Sequence, residues 1–229
     1  MHDTALHYAE VFFRTYVGGT GPKRVVDIGS QDVNGSLRSV APADCEYIGL
    51  DFVEGKGVDV RITDPYNLPL ETGYADVCVS SSCYEHSEFF WLAFLENMRI
   101  LKPGGLFYLN VPSNGYFHRY PVDCWRFYPD SGTALQNWGR RNGYPVTLLE
   151  SFVGKQKNAD WNDFIAVFAK DDDPQRLPSQ RMLDVLKDFT NGKVAEQDGF
   201  RNYNDVPEDM SPMIWQIRKR FRRLLRPAS

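Results

Sequence analysis

Residues 25–36 read Val-Val-Asp-Ile-Gly-Ser-Gln-Asp-Val-Asn-Gly-Ser. Lys23 and Arg24 lead into a short apolar run with two β-branched residues, and an acid, Asp27, sits beside a glycine at 29. A parallel strand buried on both faces needs such a run. Gly29 has no Cβ, so the backbone can leave the strand sharply and a ligand can come close. Ser30 and the residues up to Leu37 are small or polar, and a helix is expected next, its first N–H groups free to donate. Strand, glycine turn and helix together describe the ligand crevice of an open α/β sheet. The dinucleotide fingerprint needs three spaced glycines, and only Gly29 and Gly35 are present; the Gly-Lys-Ser/Thr of a phosphate-binding loop is missing too. A nucleoside-type ligand without a pyrophosphate fits better.

The totals agree with an α/β domain. A chain of 229 residues with 42% hydrophobic content can bury a real core. No run of about 18 apolar residues occurs, so no transmembrane helix is expected. The N-terminal Met-His-Asp-Thr does not resemble a secretion signal. Cys45, Cys78, Cys83 and Cys124 form no CxxC pair or zinc spacing, as in the reduced thiols of a cytoplasmic protein. Six of the 26 basic residues fall between 218 and 226, leaving 20 bases against 30 acids elsewhere. An acidic body argues against a nucleic-acid partner, which needs a basic surface.

Along the chain, residues 3–17 place Ala5, Tyr8, Ala9, Phe12, Phe13 and Tyr16 at helical spacing before Gly18-Gly19. Packing on the domain is the plain reading of this 1–22 segment; a lid or a homodimer contact is the sharper one. The second strand, Glu46-Tyr-Ile-Gly-Leu-Asp, ends in Asp51, where a carboxylate can accept both hydroxyls of a ribose. A short alternating strand before Asp64, an apolar strand ending in Ser80-Ser81, Glu85-His86, a helix over 89–100 and Leu101-Lys-Pro-Gly-Gly follow.

This ordered set resembles the class I S-adenosylmethionine-dependent methyltransferases over about residues 23–170. The resemblance implies a Rossmann-like, seven-stranded, mostly parallel sheet with an antiparallel last strand and helices on both faces. Residues 146–153 and 164–170 fit its final two strands. It implies S-adenosyl-L-methionine as cofactor and S-adenosylhomocysteine as product. Asp27, Gly29 and Ser30 would line the amino-acid end, Asp51 would take the ribose hydroxyls and Phe52 would lie against the adenine. Asp64 would reach the adenine amine, and Ser80 and Ser81 would border the sulfonium. The family's first loop is Gly-x-Gly-x-Gly, whereas Asp32-Val33-Asn34 separate Gly29-Ser30-Gln31 from Gly35 here. That departure leaves the contacts to the methionine end open.

The loop after the fifth strand, from Tyr116 to Tyr128, would hold the acceptor. A hydroxyl attacks poorly while neutral, so its proton needs a base; His118, His86, Glu85 and Asp123 are the candidates, with His118 first because it lies in this loop. Each histidine can equally be a loop or bracing residue, and Asp123 can orient a histidine, act as base or bind a divalent ion; no clustered carboxylates demand a metal. Tyr116, Arg119, Tyr120, Trp125 and Arg126 alternate rings with hydrogen-bonding groups, which suits a polyhydroxylated acceptor. Residues 118–127 also resemble small methyltransferases that accompany bacterial glycan assembly. O-methylation of a sugar or oligosaccharide is therefore the leading expectation. N-methylation of a small amine and a non-catalytic nucleoside-binding module are the rivals.

Asp171-Asp-Asp-Pro174 is expected to end the 23–173 domain, leaving 174–229 as a helical extension. Residues 181–189 read as a helix, with Met182, Val185, Leu186 and Phe189 in one stripe, and 191–211 as a loop. Residues 214–225 form a basic amphipathic pattern that suits docking on the acidic body, of the same or a neighbouring subunit, or lying on an anionic membrane.

Overall fold

The computed structural model describes residues 3–19, 21, 23–155, 161–210, 213, 214, 217 and 220. Its centre is one sheet of eight strands: β1 (Arg24–Ile28), β2 (Glu46–Asp51), β3 (Val60–Arg61), β4 (Ala75–Ser81), β5 (Leu101–Pro112), β6 (Thr147–Gly154), β7 (Asp163–Ala169) and β8 (Phe189–Val194). The order across the sheet is β3-β2-β1-β4-β5-β7-β6-β8. Strands β1 to β5 pair in parallel, β7 runs antiparallel to β5 and β6, and β8 runs antiparallel to β6. The order reverses beside β1 and β4, which places a crevice at their carboxyl ends.

Period-two alternation sorts the strand residues between two faces. Val26, Cys78, Phe107 and Phe168 pack with Phe94 and Met98 of α2 (Phe90–Ile100) and Leu135 of α3 (Ser131–Arg141). Val25, Val77, Val79, Tyr108 and Val167 face the other way, onto Tyr8, Phe12 and Tyr16 of the N-terminal segment. There α1 (Asp3–Phe12) continues as a π-helical turn, Phe13–Val17. Tyr8 and Phe12 are almost fully buried, so this helix supplies core to the sheet.

Three expectations change. The seven-stranded sheet has an eighth strand, because the chain past Asp171 returns to β6. Glu150 on β6 is buried and accepts the Met182 and Leu183 N–H groups at 2.7 and 2.9 Å. That holds Met182–Asp184 as a 3-10 turn, and the stripe that predicted a helix over 181–189 is broken by an exposed Val185. Phe189 instead opens β8, within the stretch read partly as loop. Strand β8 thus extends the same sheet beyond residue 173, and among the described residues 174–210 hold a 3-10 turn but no α-helix.

The helix expected after β1 is also replaced, by a 3-10 turn at Leu37–Val40. Asp32 accepts the Gly35 N–H at 2.8 Å and Ser36 accepts the Arg38 N–H at 3.2 Å. Such side-chain bonds compete with the helical ladder, and Pro42 stops its extension. Most of the basic 214–225 pattern lies outside the described residues. Among the described residues no helix is long and apolar enough to cross a membrane.

Candidate active site

The cofactor half begins at Gly29, whose φ of +81° lies in the left-handed region. A Cβ there would sit 2.7 Å from Cys83, so a side chain at 29 has no room. The turn hangs from β2, since Gly29 N and Ser30 N donate to the Leu50 carbonyl at 2.9 and 3.1 Å. Asp51, at the tip of β2, accepts the Gln31 N–H at 3.1 Å and the Val53 N–H at 3.2 Å. Phe52 beside it is half-exposed. Ser80 donates to the Ile28 carbonyl at 2.8 Å, which ties β4 to β1. Ser30 Oγ and Ser81 Oγ are buried and have no hydrogen-bond partner among the described residues. Asp64 lies in an exposed turn and accepts the Tyr66 N–H at 2.8 Å.

Asp27 is buried and accepts the Tyr47 hydroxyl at 2.7 Å. Burial raises its carboxyl to about 7, against the smaller lowering effect of that hydrogen bond. The unfolded carboxyl ionises near about 3.9. Between those values the folded chain keeps a proton that the unfolded chain has lost. Stability from this group is thus present below about pH 4 and is lost as pH rises towards 7. Asp27→Asn, neutral throughout, is expected to remove a fall of up to about 4 kcal/mol across that window. Urea midpoints of both chains at several pH values check it, and parallel profiles would reject it.

The acceptor half lies on a 3-10 turn, Tyr84–His86, and the loop after β5. The two are joined, because Cys124 N and Trp125 N donate to the Glu85 carbonyl at 2.8 and 3.2 Å. Four predicted residues meet here. His86 Nε2 is 3.7 Å from Glu85 Oε1, and the His86 and His118 rings meet edge to face with centroids 5.0 Å apart. His118 Nδ1 is 3.3 Å from Asp123 Oδ2, which also accepts the His118 N–H at 2.7 Å. Arg126 grips the same carboxylate through both terminal nitrogens, at 2.6 and 2.9 Å.

These contacts set the charges. Hydrogen bonds from Arg126 hold Asp123 down to about 2, so it is a fixed anion. Burial pushes Glu85 up to about 8, and burial also pushes His86 down. Asp123 is thus occupied as an orienting group rather than free as a base. The His86 Nδ1 faces the Val122 carbonyl at 2.5 Å; a carbonyl only accepts, so Nδ1 carries the proton and Nε2 keeps its lone pair.

The remaining substrate candidates surround this cluster unevenly. Tyr116 and Tyr120 are exposed, and the Tyr120 hydroxyl donates to Gln31 Oε1 at 3.0 Å, linking acceptor loop to cofactor loop. Trp125 donates to the Ser87 carbonyl at 2.9 Å, whereas Arg119 is exposed and donates to the Pro121 carbonyl of its own loop. Sequence reading missed Gln31, Tyr47 and Trp161. Trp161 packs on Tyr116 and His118, both at 4.7 Å between centroids, and lies under Arg126. It arrives from the start of β7, 43 residues beyond His118, and no local spacing signals that.

Residues 29–109 match the family described as methyltransferase domain. They run from the glycine turn through β5, covering the cofactor half and the Glu85-His86 turn. That stretch is methyltransferase-like. Solved structures share the fold of this chain. One is a 1,6-didemethyltoxoflavin-N1-methyltransferase of Burkholderia thailandensis, determined with S-adenosylhomocysteine: 17% identity, 73% of this chain and 79% of that one, TM-score 0.57. Another is the [4+2]-cyclase SpnF: 14% identity, 72% and 81% coverage, TM-score 0.54. A third is the PH0226 protein of Pyrococcus horikoshii: 16% identity, 72% and 89% coverage, TM-score 0.51. No curated protein sequence matches the chain significantly. The first of these structures holds S-adenosylhomocysteine, and the buried, unpartnered Ser30 and Ser81 hydroxyls beside a side-chain-free turn here fit a ligand of that kind. The acceptor is not set by the fold, which serves an N-methyltransferase and a cyclase alike.

Proposed function

We propose that this methyltransferase methylates a hydroxyl of a polyhydroxylated small molecule of the sugar or oligosaccharide class. The observation that carries the reading is the convergence of Glu85, His86 and His118, one side-chain N or O atom of each within 4.8 Å of the others. An amine can attack through its own lone pair, while a neutral hydroxyl must lose a proton, and the two imidazoles of this cluster suit the latter. When bound, S-adenosylmethionine supplies an electrophilic methyl on a sulfonium. Asp51 would hold its ribose, with Phe52 and Asp64 towards the adenine. Asp27, Gly29 and Ser30 would line its amino-acid end, with Ser80 and Ser81 near the sulfur.

The acceptor lies among Tyr116, Tyr120, Trp125 and Arg119, where rings can stack on a sugar face and polar groups can take its hydroxyls. Asp123 and Arg126 fix the His118 backbone and ring, and the proton of the acceptor leaves through the Glu85–His86–His118 cluster. Holding the acceptor in line contributes up to about 7–11 kcal/mol at the extreme, the larger share beside about 10²–10⁴-fold from proton removal. Transfer of a labelled methyl group, screened over saccharides, amines and phenols, tests the reading. Label in saccharides is expected. Label in amines alone would replace it with N-methylation, and cofactor binding without label in any class would favour a non-catalytic module.

A further inference from the structure

We propose that Glu85, His86 and His118 bind one divalent first-row transition-metal ion, of the Zn²⁺ or Fe²⁺ kind. One donor atom from each of the three lies within 4.8 Å of the others. An ion about 2.0–2.2 Å from each donor needs donor separations of roughly 3.3 Å, and His86 Nε2 to Glu85 Oε1 is already 3.7 Å. Small side-chain rotations close the rest.

A second, independent observation points to a ligand. Glu85 is 1% exposed, and its Oε2 has no hydrogen-bond partner among the described residues. A buried carboxylate oxygen left so is costly unless something meets it. The outer contacts are those of ligating histidines: the Val122 carbonyl fixes the His86 tautomer with Nε2 free, and the Asp123 carboxylate lies against the His118 ring. The paired Arg126–Asp123 charges cancel beside the site.

Two imidazoles and one carboxylate select a transition ion over Mg²⁺ or Ca²⁺, which prefer all-oxygen shells. Three protein ligands leave coordination positions open. With the ion present, the role of the cluster in the proposed reaction becomes that of a Lewis acid. Held by these three residues, an ion would polarise an acceptor hydroxyl, and solvent would take the proton that the histidines take without it. That role rests on the O-methylation reading; the binding itself does not.

The test uses the full chain, stripped with a chelator and titrated with Zn²⁺ by calorimetry and with Co²⁺ by visible absorption. One ion per chain is expected, with a Co²⁺ spectrum of nitrogen and oxygen ligation. Glu85→Gln and His86→Gln should each weaken binding by about 100-fold or more, beyond the about 10–100-fold typical of losing an outer partner. Unchanged thermal melting of the stripped variants shows that they fold, and His118→Asn provides a third variant should one not. Absence of stoichiometric binding, or equal binding by all three variants, would overturn the site. Because these readouts need no acceptor, a chain that binds the ion yet methylates only amines retires the O-methylation reading and leaves the site standing.

Discussion

His118→Ala is expected to slow methyl transfer to a hydroxyl acceptor by about 10²–10⁴-fold, the usual worth of the group that removes the proton. S-adenosylhomocysteine affinity should stay nearly unchanged, because His118 contacts the acceptor loop and the Glu85 turn rather than the Gly29 turn. The loss should appear in kcat more than in KM, since the group acts in the transition state. An amine acceptor should lose far less. The same variant assayed on both acceptor classes therefore separates proton removal from damage to packing against Trp161. Equal, small losses on both would remove His118 from the chemistry.

The second large effect lies at the other end of the cleft. Asp51→Ala is expected to weaken S-adenosylhomocysteine binding by at least about 100-fold. Hydrogen bonds to a charged group are worth roughly 1.5–3 kcal/mol each, and a carboxylate can accept two from a ribose. The lower bound of about 3 kcal/mol converts to about 150-fold. Truncation also strands the Gln31 and Val53 N–H groups that Asp51 now holds, loosening the loop itself. Asp51→Asn keeps an oxygen for one of those two groups while losing the charge, and should fall between Asp51→Ala and the unaltered chain. Calorimetry with S-adenosylhomocysteine measures both. An unaltered affinity in Asp51→Ala would place the ribose elsewhere. Together the variants dissociate the halves of the site, one failing in turnover and the other in binding.

The sequence by itself determined the parts of this protein that arise from neighbours in the chain. The Val25-Val26 run, the glycine at 29, the acid at the tip of β2 and the Lys-Pro-Gly-Gly turn each carry their conformation in residue type: β-branching, a missing Cβ, a fixed proline φ. The fold from β1 to β7 was readable through the family resemblance that this ordered set of residues carries. What lay beyond reach was set by partners distant in sequence. Residues 181–189 carry a helix-like stripe, yet Glu150, more than thirty residues upstream, takes the Met182 and Leu183 N–H groups and turns the chain into an eighth strand. His86 and His118 were each legible as proton acceptors, but 32 residues separate them. Only the pairing of β4 with β5, and the loop bonds to the Glu85 carbonyl, bring the two rings and that carboxylate together. Periodicity reports which face a residue shows. Which distant backbone or carboxylate then meets that face depends on the whole sheet being assembled, and there the environment of every group in the acceptor half was decided.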